Sequence, residues 1–530
     1  MAKQQQRIFA GAGVLALAGI IAKILSAVYR VPFQNIVGNQ GFYVYQQVYP
    51  IYGIGMVMAL SGWPLFISKM VAEQPNQAAK QLVARRLFWL LTGISVLIFV
   101  GIYFGANVIA NAMNDALLAP EIKAVAWMFL FMPVLATSRG YTQGQFNMVP
   151  TAISQVIEQV VRVAVILGVA WFGMQQAWNA YQIGTWATFG ATIAAVATGS
   201  YLLGSFRQIG PFQRQTKAAT EDLRWRVLGR RLWREGTLLA VLAALLVFLQ
   251  LIDSFTIKGL LEQGGMASHV AETTKGVYDR GQPLVQLGMV VATGVGTALL
   301  PTLHAHFEAH EDAALKATFQ TTLRITLIVS LLTAVGLIAI MPVINQFLFS
   351  SREGDSALMW YVTIIVPATL ITVLASVLQS MNRTKGLITM IGVTLVLKYG
   401  LNNLLMPQFA IVGASVATML ALLPLLVYSM YQLPRPLWRG MFTWNWWFRV
   451  VGMLMAMMVV AIGVRMLGDQ IFGLGRGASI LTTILAAGSG AIVGVALLLR
   501  LKILNEQELL ALPKGEKLVV LMKGKSDAIR

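Results

Sequence analysis

The sequence contains no cysteine. Disulfides and thiolate metal sites are therefore excluded. Charge is scarce as well. Asp, Glu, Lys and Arg make up 12% of the 530 residues, about half of the roughly 25% that a soluble domain carries. Acid is scarcer still, with 21 Asp and Glu against 40 Lys and Arg. No G-x-x-x-x-G-K-[ST] loop is present, so ATP use of that type is excluded. No catalytic constellation stands out either, and we do not read the chain as an enzyme. Apolar residues are plentiful instead, at 57% with a mean hydropathy of +0.69. They fall in runs of about 20, each long enough to cross a bilayer. This is the pattern of an all-α, polytopic integral membrane protein. The first run is followed at once by others, so no cleavable signal peptide is expected. A net charge of +19 would suggest nucleic acid in a soluble protein. Here no basic and aromatic nucleic-acid motif occurs. Basic cytoplasmic loops facing anionic lipid account for the charge.

Fourteen apolar segments are predicted near 8–29, 43–69, 87–110, 124–146, 151–173, 182–204, 236–260, 276–303, 321–347, 357–381, 386–406, 411–431, 448–467 and 478–501. With the N-terminus inside, connections after even-numbered segments are cytoplasmic, as are both termini. The connection after the sixth holds Arg207, Arg214, Lys217, Arg224, Arg226, Arg230, Arg231 and Arg234. Outer connections, such as Gln175 to Ala180 and Pro407 to Gln408, are short and nearly uncharged. The asymmetry predicts both ends inside. Residues 217–235 fit an amphipathic helix on the inner membrane surface.

A shift of 233 residues lays the second segment on the eighth. Tyr45 meets Tyr278, Pro50 meets Pro283, Gly55 meets Gly288, Met56 meets Met289, Val57 meets Val290 and Ala59 meets Ala292. A shift of 236 puts Gln143 on Gln379 and Arg162 on Lys398. A repeat of six segments is even, so the two copies share one orientation, as parallel repeats do. The expected plan is an N-lobe (1–206), a basic linker (207–235), a C-lobe (236–433), two added spans (434–502) and a cytoplasmic tail (503–530). Two lobes around a central path suit alternating access.

Ionisable residues inside spans are costly and mark cavities or partners. Lys23 and Arg30 are seven apart and share a helix face. Glu158 and Arg162 stand at i,i+4, the spacing of a structural ion pair. Asp253 lies in the seventh segment, Asp279 and Arg280 near the start of the eighth, and Lys398 in the eleventh. Lys258 and Lys275 read as snorkelling to the outer interface. Lys23, Arg30 and Arg280 together predict a cationic cavity for an anionic substrate, since guanidinium forks suit phosphate oxygens. His304, His306 and His310 read as part of a polar helix rather than a metal site. No metal or cofactor is expected, which leaves an ion gradient or the membrane potential as the driving force. Potential is worth about 2.3 kcal/mol per charge per 100 mV.

Several stretches carry a family resemblance. Lys23 to Glu73 (KILSAVYRVPFQNIVGNQGFYVYQQVYPIYGIGMVMALSGWPLFISKMVAE) resembles the start of the SpoVB/YtgP branch of MurJ-type flippases. Arg139 to Arg162, Val277 to Pro301, LQSMNRTK and LKYGLNNLLMPQFAIVGASVAT are similar to its later spans. The resemblance covers nearly the whole chain and extends to the wider MOP exporter superfamily of MATE and polysaccharide transporters. It implies a fourteen-helix, two-lobed fold. It also implies flipping of lipid II, the undecaprenyl-pyrophosphate-linked peptidoglycan precursor, across the bacterial cell membrane, in contact with cell wall synthesis machinery. In that family basic residues of spans 1 and 8 hold the pyrophosphate, and the matching positions are Lys23, Arg30 and Arg280. Better-known members add an Arg just after the span 2 proline, where this chain has Pro50-Ile51-Tyr52. Some bind sodium between spans 7, 11 and 12. Asp253, Lys398, Asn402 and Thr418 match those positions, and the Lys398 ammonium is expected to replace sodium and pair with Asp253. Competing readings are an exporter of another undecaprenyl-linked glycan (capsule, teichoic acid or a sporulation-specific unit), a MATE-like drug antiporter, and a membrane enzyme acting on lipid-linked sugars. A cationic cavity disfavours the antiporter, and the short outer loops leave little room for the enzyme.

Overall fold

A computed structural model describes residues 2–210, 224–381, 383–512 and 515–523. Among these the chain forms helices joined by turns, with no strand. Ten helical stretches are long and apolar enough to cross a membrane, or eleven if Trp225–Ala243 and Leu245–Gln263 form one bent span. Two of the ten each hold two of the segments expected from sequence. Gly13–Ala72 contains the first and second, and Leu387–Tyr431 the eleventh and twelfth. Each is broken at one residue with positive φ, Gly38 (72°) and Ala410 (46°). Apolar side chains such as Leu97, Phe104 and Val108 stand outward, the reverse of a soluble surface. The protein is an all-α, multi-pass membrane protein.

Contacts divide the chain into two compact units, Met1–Asp279 and Arg280–Arg530. The first holds α1 (Ala2–Val28), α2 (Arg30–Val57), α3 (Trp63–Ala72), α4 (Gln77–Ala112), α5 (Ala119–Ala126), α6 (Met132–Gly144), α7 (Val149–Gln175), α8 (Ala180–Ile209), α9 (Trp225–Arg231), α10 (Thr237–Ala243), α11 (Leu245–Gln263) and α12 (Ser268–Asp279). This division falls inside the eighth segment rather than at the basic linker, because α11 and α12 both pack on α2.

Local chemistry sets the boundaries. Asn76 caps α4 by accepting from the Ala79 N–H, and Asn179 with Gln182 forms a capping box on α8. Prolines stand in the first turns of α3, α5, α6 and α7, where no backbone donor is lost. A wide turn at Met58–Gly62 separates α2 from α3. Helices α3 and α6 meet at small residues four apart. A Cβ on Gly140 would lie 2.5 Å from the Ile67 Cβ, and one on Gly144 2.7 Å from the Ser68 carbonyl oxygen. Bare backbone is what permits this approach.

The described part of the linker helix sits elsewhere than expected. Residues 217–223 of the predicted amphipathic stretch lie outside the described residues, and α9 starts at Trp225. Leu228 and Leu232 are buried in the core of the first unit rather than at a membrane surface. Arg231 bridges Glu73 at 2.9 Å and Glu235 bridges Lys69 at 2.6 Å, which ties the linker to α3.

The second unit holds α13 (Gly281–Ala298), α14 (Leu300–Glu308), α15 (Asp312–Phe349), α16 (Asp355–Val362), α17 (Ile365–Ser380), α18 (Leu387–Tyr431), α19 (Arg435–Trp438), α20 (Trp444–Phe472), α21 (Arg476–Arg500), α22 (Glu506–Leu510) and α23 (Gly515–Lys523). The long α15 carries α20 and α21 on its side. Arg465 donates to the Ala339 carbonyl at 2.9 Å, and Arg352 pairs with Asp469 at 2.9 Å. The start of the tail docks rather than trailing. Leu504 and Leu509 are buried, Glu508 pairs with Arg324 at 3.1 Å, and Trp446 donates to the Ile503 carbonyl at 3.0 Å.

Candidate functional site

A polar buried region of the first unit gathers around α2. Positive φ at Gly38 reverses the chain after Arg30, so residues 39–57 run back past it. The sequence YVYQQVYPIY places Tyr43, Tyr45, Tyr49 and Tyr52 on this returning helix. Tyr49 covers Arg30, whose Cζ lies 4.2 Å from the ring centroid. Arg30 is 1% exposed, whereas Lys23 on the same helical stretch is exposed. The seven-residue spacing places both on one helix face, and the returning Tyr49 ring covers only Arg30. Tyr29 and Tyr45 share a hydroxyl hydrogen bond of 2.8 Å. Ring contacts then run from Tyr45 to Tyr49 to Tyr52, at 6.3 and 5.6 Å.

Arg162 of α7 enters the same cluster. Its Cζ stands 4.7 Å from the Tyr52 ring and 5.1 Å from the Tyr29 ring. Its Nη2 donates to Gln159 Oε1 at 2.5 Å and to Ser26 Oγ at 3.3 Å. The expected Glu158–Arg162 ion pair does not form. Glu158 pairs with Arg139 of α6 at 2.6 Å, both side chains being buried. Arg139 also donates to Ser154 and to the Ala59 carbonyl, so its fork fills a site between helices. The i,i+4 spacing is a sound signal, but the guanidinium of Arg139, on a neighbouring helix, takes the Glu158 carboxylate through tertiary packing.

Arg280 is 1% exposed and opens the second unit. Its Nη1 donates to Asn345 Oδ1 at 3.1 Å, and its Cζ lies 5.1 Å from the Phe349 ring. Asn345 in turn donates to Asp355 at 2.7 Å. Lys398, 0% exposed, donates to Thr418 Oγ1 at 2.6 Å, Asn402 Oδ1 at 3.0 Å and the Ala414 carbonyl at 3.0 Å. Three of the four residues matched to the sodium positions are thus in direct contact. Asp253, in the first unit, accepts from the Tyr278 hydroxyl at 2.8 Å.

The two lysines expected to snorkel are buried and paired. Lys258 lies 3.2 Å from Glu272, 3.5 Å from Asp115 and 3.7 Å from Glu262. Lys275 pairs with Asp279 at 2.7 Å. Buried carboxylates satisfy these ammonium groups where the sequence reading supplied only an interface. Tyr43 and Tyr181 both donate to Asp115, at 2.9 and 2.8 Å. Asp115, in a turn between helices, carried no sequence signal for this role. His306 Nδ1 and Glu311 Oε2 share a hydrogen bond of 2.6 Å, and the described residues hold no cluster of metal-ligating type.

The chain matches the family described as "Polysaccharide biosynthesis protein" over residues 8–307. It is 36% identical to the membrane protein YabM of Bacillus subtilis (strain 168), over 97% of both chains. It is 26% identical to the lipid II flippase MurJ of Bacillus subtilis (strain 168), over 81% of this chain and 83% of that one. Its fold superposes on a solved structure of the lipid II flippase MurJ in an inward closed conformation. The TM-score is 0.68, with 12% identity, covering 91% of this chain and 98% of that one. The chain belongs to the polysaccharide biosynthesis protein family.

Proposed function

We propose that this protein flips lipid II, the undecaprenyl-pyrophosphate-linked peptidoglycan precursor, from the inner to the outer leaflet of the bacterial cell membrane by alternating access. The coarser statement, a membrane flippase acting on a lipid-linked substrate, rests on the relatives. The observation that carries the finer one is the pair of arginines buried among tyrosines. Neither Arg30 nor Arg162 makes a salt bridge among the described residues, and Asp279, the buried carboxylate whose charge reaches Arg30, is bridged to Lys275. Leaving a charge buried without a counter-charge costs several kcal/mol, so an anionic group is the natural complement. A pyrophosphate supplies it, and guanidinium forks bind its oxygens directionally. Lys23 and Arg280 are proposed as further substrate contacts. Both termini are cytoplasmic, an ion gradient or the membrane potential supplies the energy, and no cofactor takes part.

The test is complementation of a bacterium depleted of its own lipid II flippase, scoring lipid II on the outer leaflet. The parent is expected to rescue, and Arg30→Ala and Arg280→Ala to fail at equal expression. Rescue by all three would discard this site. Absence of rescue by a well-expressed parent would favour another undecaprenyl-linked glycan. The Tyr49-Pro50-Ile51-Tyr52 stretch, which carries no cation, is the feature that favours that second reading.

A further inference from the structure

A shift of 236 residues lays Arg162 on Lys398, two buried cations whose surroundings differ in kind. The Lys398 ammonium has three N–H groups and meets three oxygen acceptors within 3.0 Å. A guanidinium has five N–H groups. Arg162 commits only Nη2, while its Nε and Nη1 are buried without a hydrogen-bond partner. The Arg30 Nε and the Tyr52 hydroxyl are buried without a hydrogen-bond partner too. Contact with the Tyr29 and Tyr52 rings returns about 0.5–2 kcal/mol, less than the several kcal/mol that desolvating the charge costs. The rings alone therefore do not balance this site.

We infer that Arg162 is a substrate-binding residue, which with Arg30 and the Tyr52 hydroxyl forms a phosphate-oxygen grip inside the first unit. Arg162 thereby supplies, from α7, a cation that the Pro50-Ile51-Tyr52 sequence does not place on α2. The identity of the anion, a pyrophosphate, rests on the function proposed above; the existence of the site does not. A cavity of about 10 Å³ lies against Tyr45, Tyr49, Tyr52, Arg162 and Thr188. That is room for one water-sized atom, so the present arrangement is closed. Pro50 stands between Tyr49 and Tyr52 and lacks the N–H that would bond the previous turn. The missing bond loosens the helix where the two rings must swing to admit a phosphate.

The experiment uses the full chain in zwitterionic nanodiscs, with inorganic pyrophosphate and undecaprenyl pyrophosphate as probes. Affinity is read by titration and by ligand-induced thermal shift. Arg162→Gln is expected to weaken binding by about tenfold or more, the worth of one lost charged hydrogen bond. Tyr52→Phe and Arg162→Lys are expected to weaken it about threefold, and they carry the test should Arg162→Gln not fold. A purely structural role for Arg162 would lower the ligand-free melting temperature and leave affinity unchanged. That outcome, or absence of binding by the parent to both probes, overturns the inference. Binding of inorganic pyrophosphate but not the lipid supports the grip and assigns it to a soluble anion. Binding that depends on Arg162 in a protein that fails complementation upholds the site and removes lipid II as its substrate.

Discussion

At the scale of single residues, the ammonium of Lys398 stands out because it fills a polar pocket completely. Asn402, Thr418 and the Ala414 carbonyl supply oxygens at 2.6–3.0 Å from its nitrogen. Oxygens grouped in this way also suit a monovalent metal ion, so a fixed ammonium makes a mobile one unnecessary. Transport by the parent is accordingly expected to be indifferent to sodium. Lys398→Ala leaves the same oxygens without a cation, each buried group costing about 1–3 kcal/mol when unsatisfied. That variant is expected to melt lower in choline than in sodium buffer and to show sodium-dependent transport. Sodium stimulation of the parent would sink the idea. Residue chemistry of this kind was partly legible in the sequence. The buried charges at Arg30, Arg162, Asp253, Arg280 and Lys398 all stood out against apolar runs. Their partners did not, because Arg139, Asp115 and the four tyrosines of α2 are ordinary residues until packing brings them together. Glu158 illustrates the difficulty. Its helical neighbour Arg162 was the nearest cation in sequence, yet the cation that reaches it is Arg139 on another helix.

At the scale of elements, close helix contact depends on what is missing from a side chain. Helices α3 and α6 approach through Gly140 and Gly144, and the Ala59 carbonyl just before α3 accepts from Arg139 beside them. Gly140→Ala puts a methyl 2.5 Å from Ile67 and 2.9 Å from the Pro64 carbonyl oxygen. One of these neighbours is backbone and cannot rotate away. The expected cost is about 1–3 kcal/mol of overpacking, read as a lower melting temperature in detergent. Gly93, with nothing within 4 Å of an added Cβ, is the control. Equal melting of Gly140→Ala and Gly93→Ala would refute the packing argument. Helix positions were the most legible part of this fold, since apolar runs of bilayer length report them directly. Breaks inside helices were less so. Gly38 and Ala410 turn the chain within stretches that hydropathy reads as continuous or simply adjacent, and only the former is a residue type that announces positive φ.

At the scale of the whole molecule, the charge asymmetry predicts an orientation, and the lack of cysteine makes it easy to measure. A single introduced thiol would be the only one in the protein. Gln176 lies in the exposed turn after α7, and Ala309 in the exposed turn after α14. The basic-loop rule puts the first outside and the second in the cytoplasm. Gln176→Cys is therefore expected to react with a membrane-impermeant maleimide in intact cells, and Ala309→Cys only after permeabilisation. The arrangement matters to the proposed transport because it fixes the direction of the potential. With the inside negative, a cationic protein site that binds a pyrophosphate near the cytoplasmic face neutralises an anion that the potential would push outward. A reversed labelling pattern would place the basic linker outside and turn that coupling against the flipping of a precursor made in the cytoplasm. The same two variants then serve as sidedness markers for the complementation assay, so that failure to transport is distinguished from insertion the wrong way round.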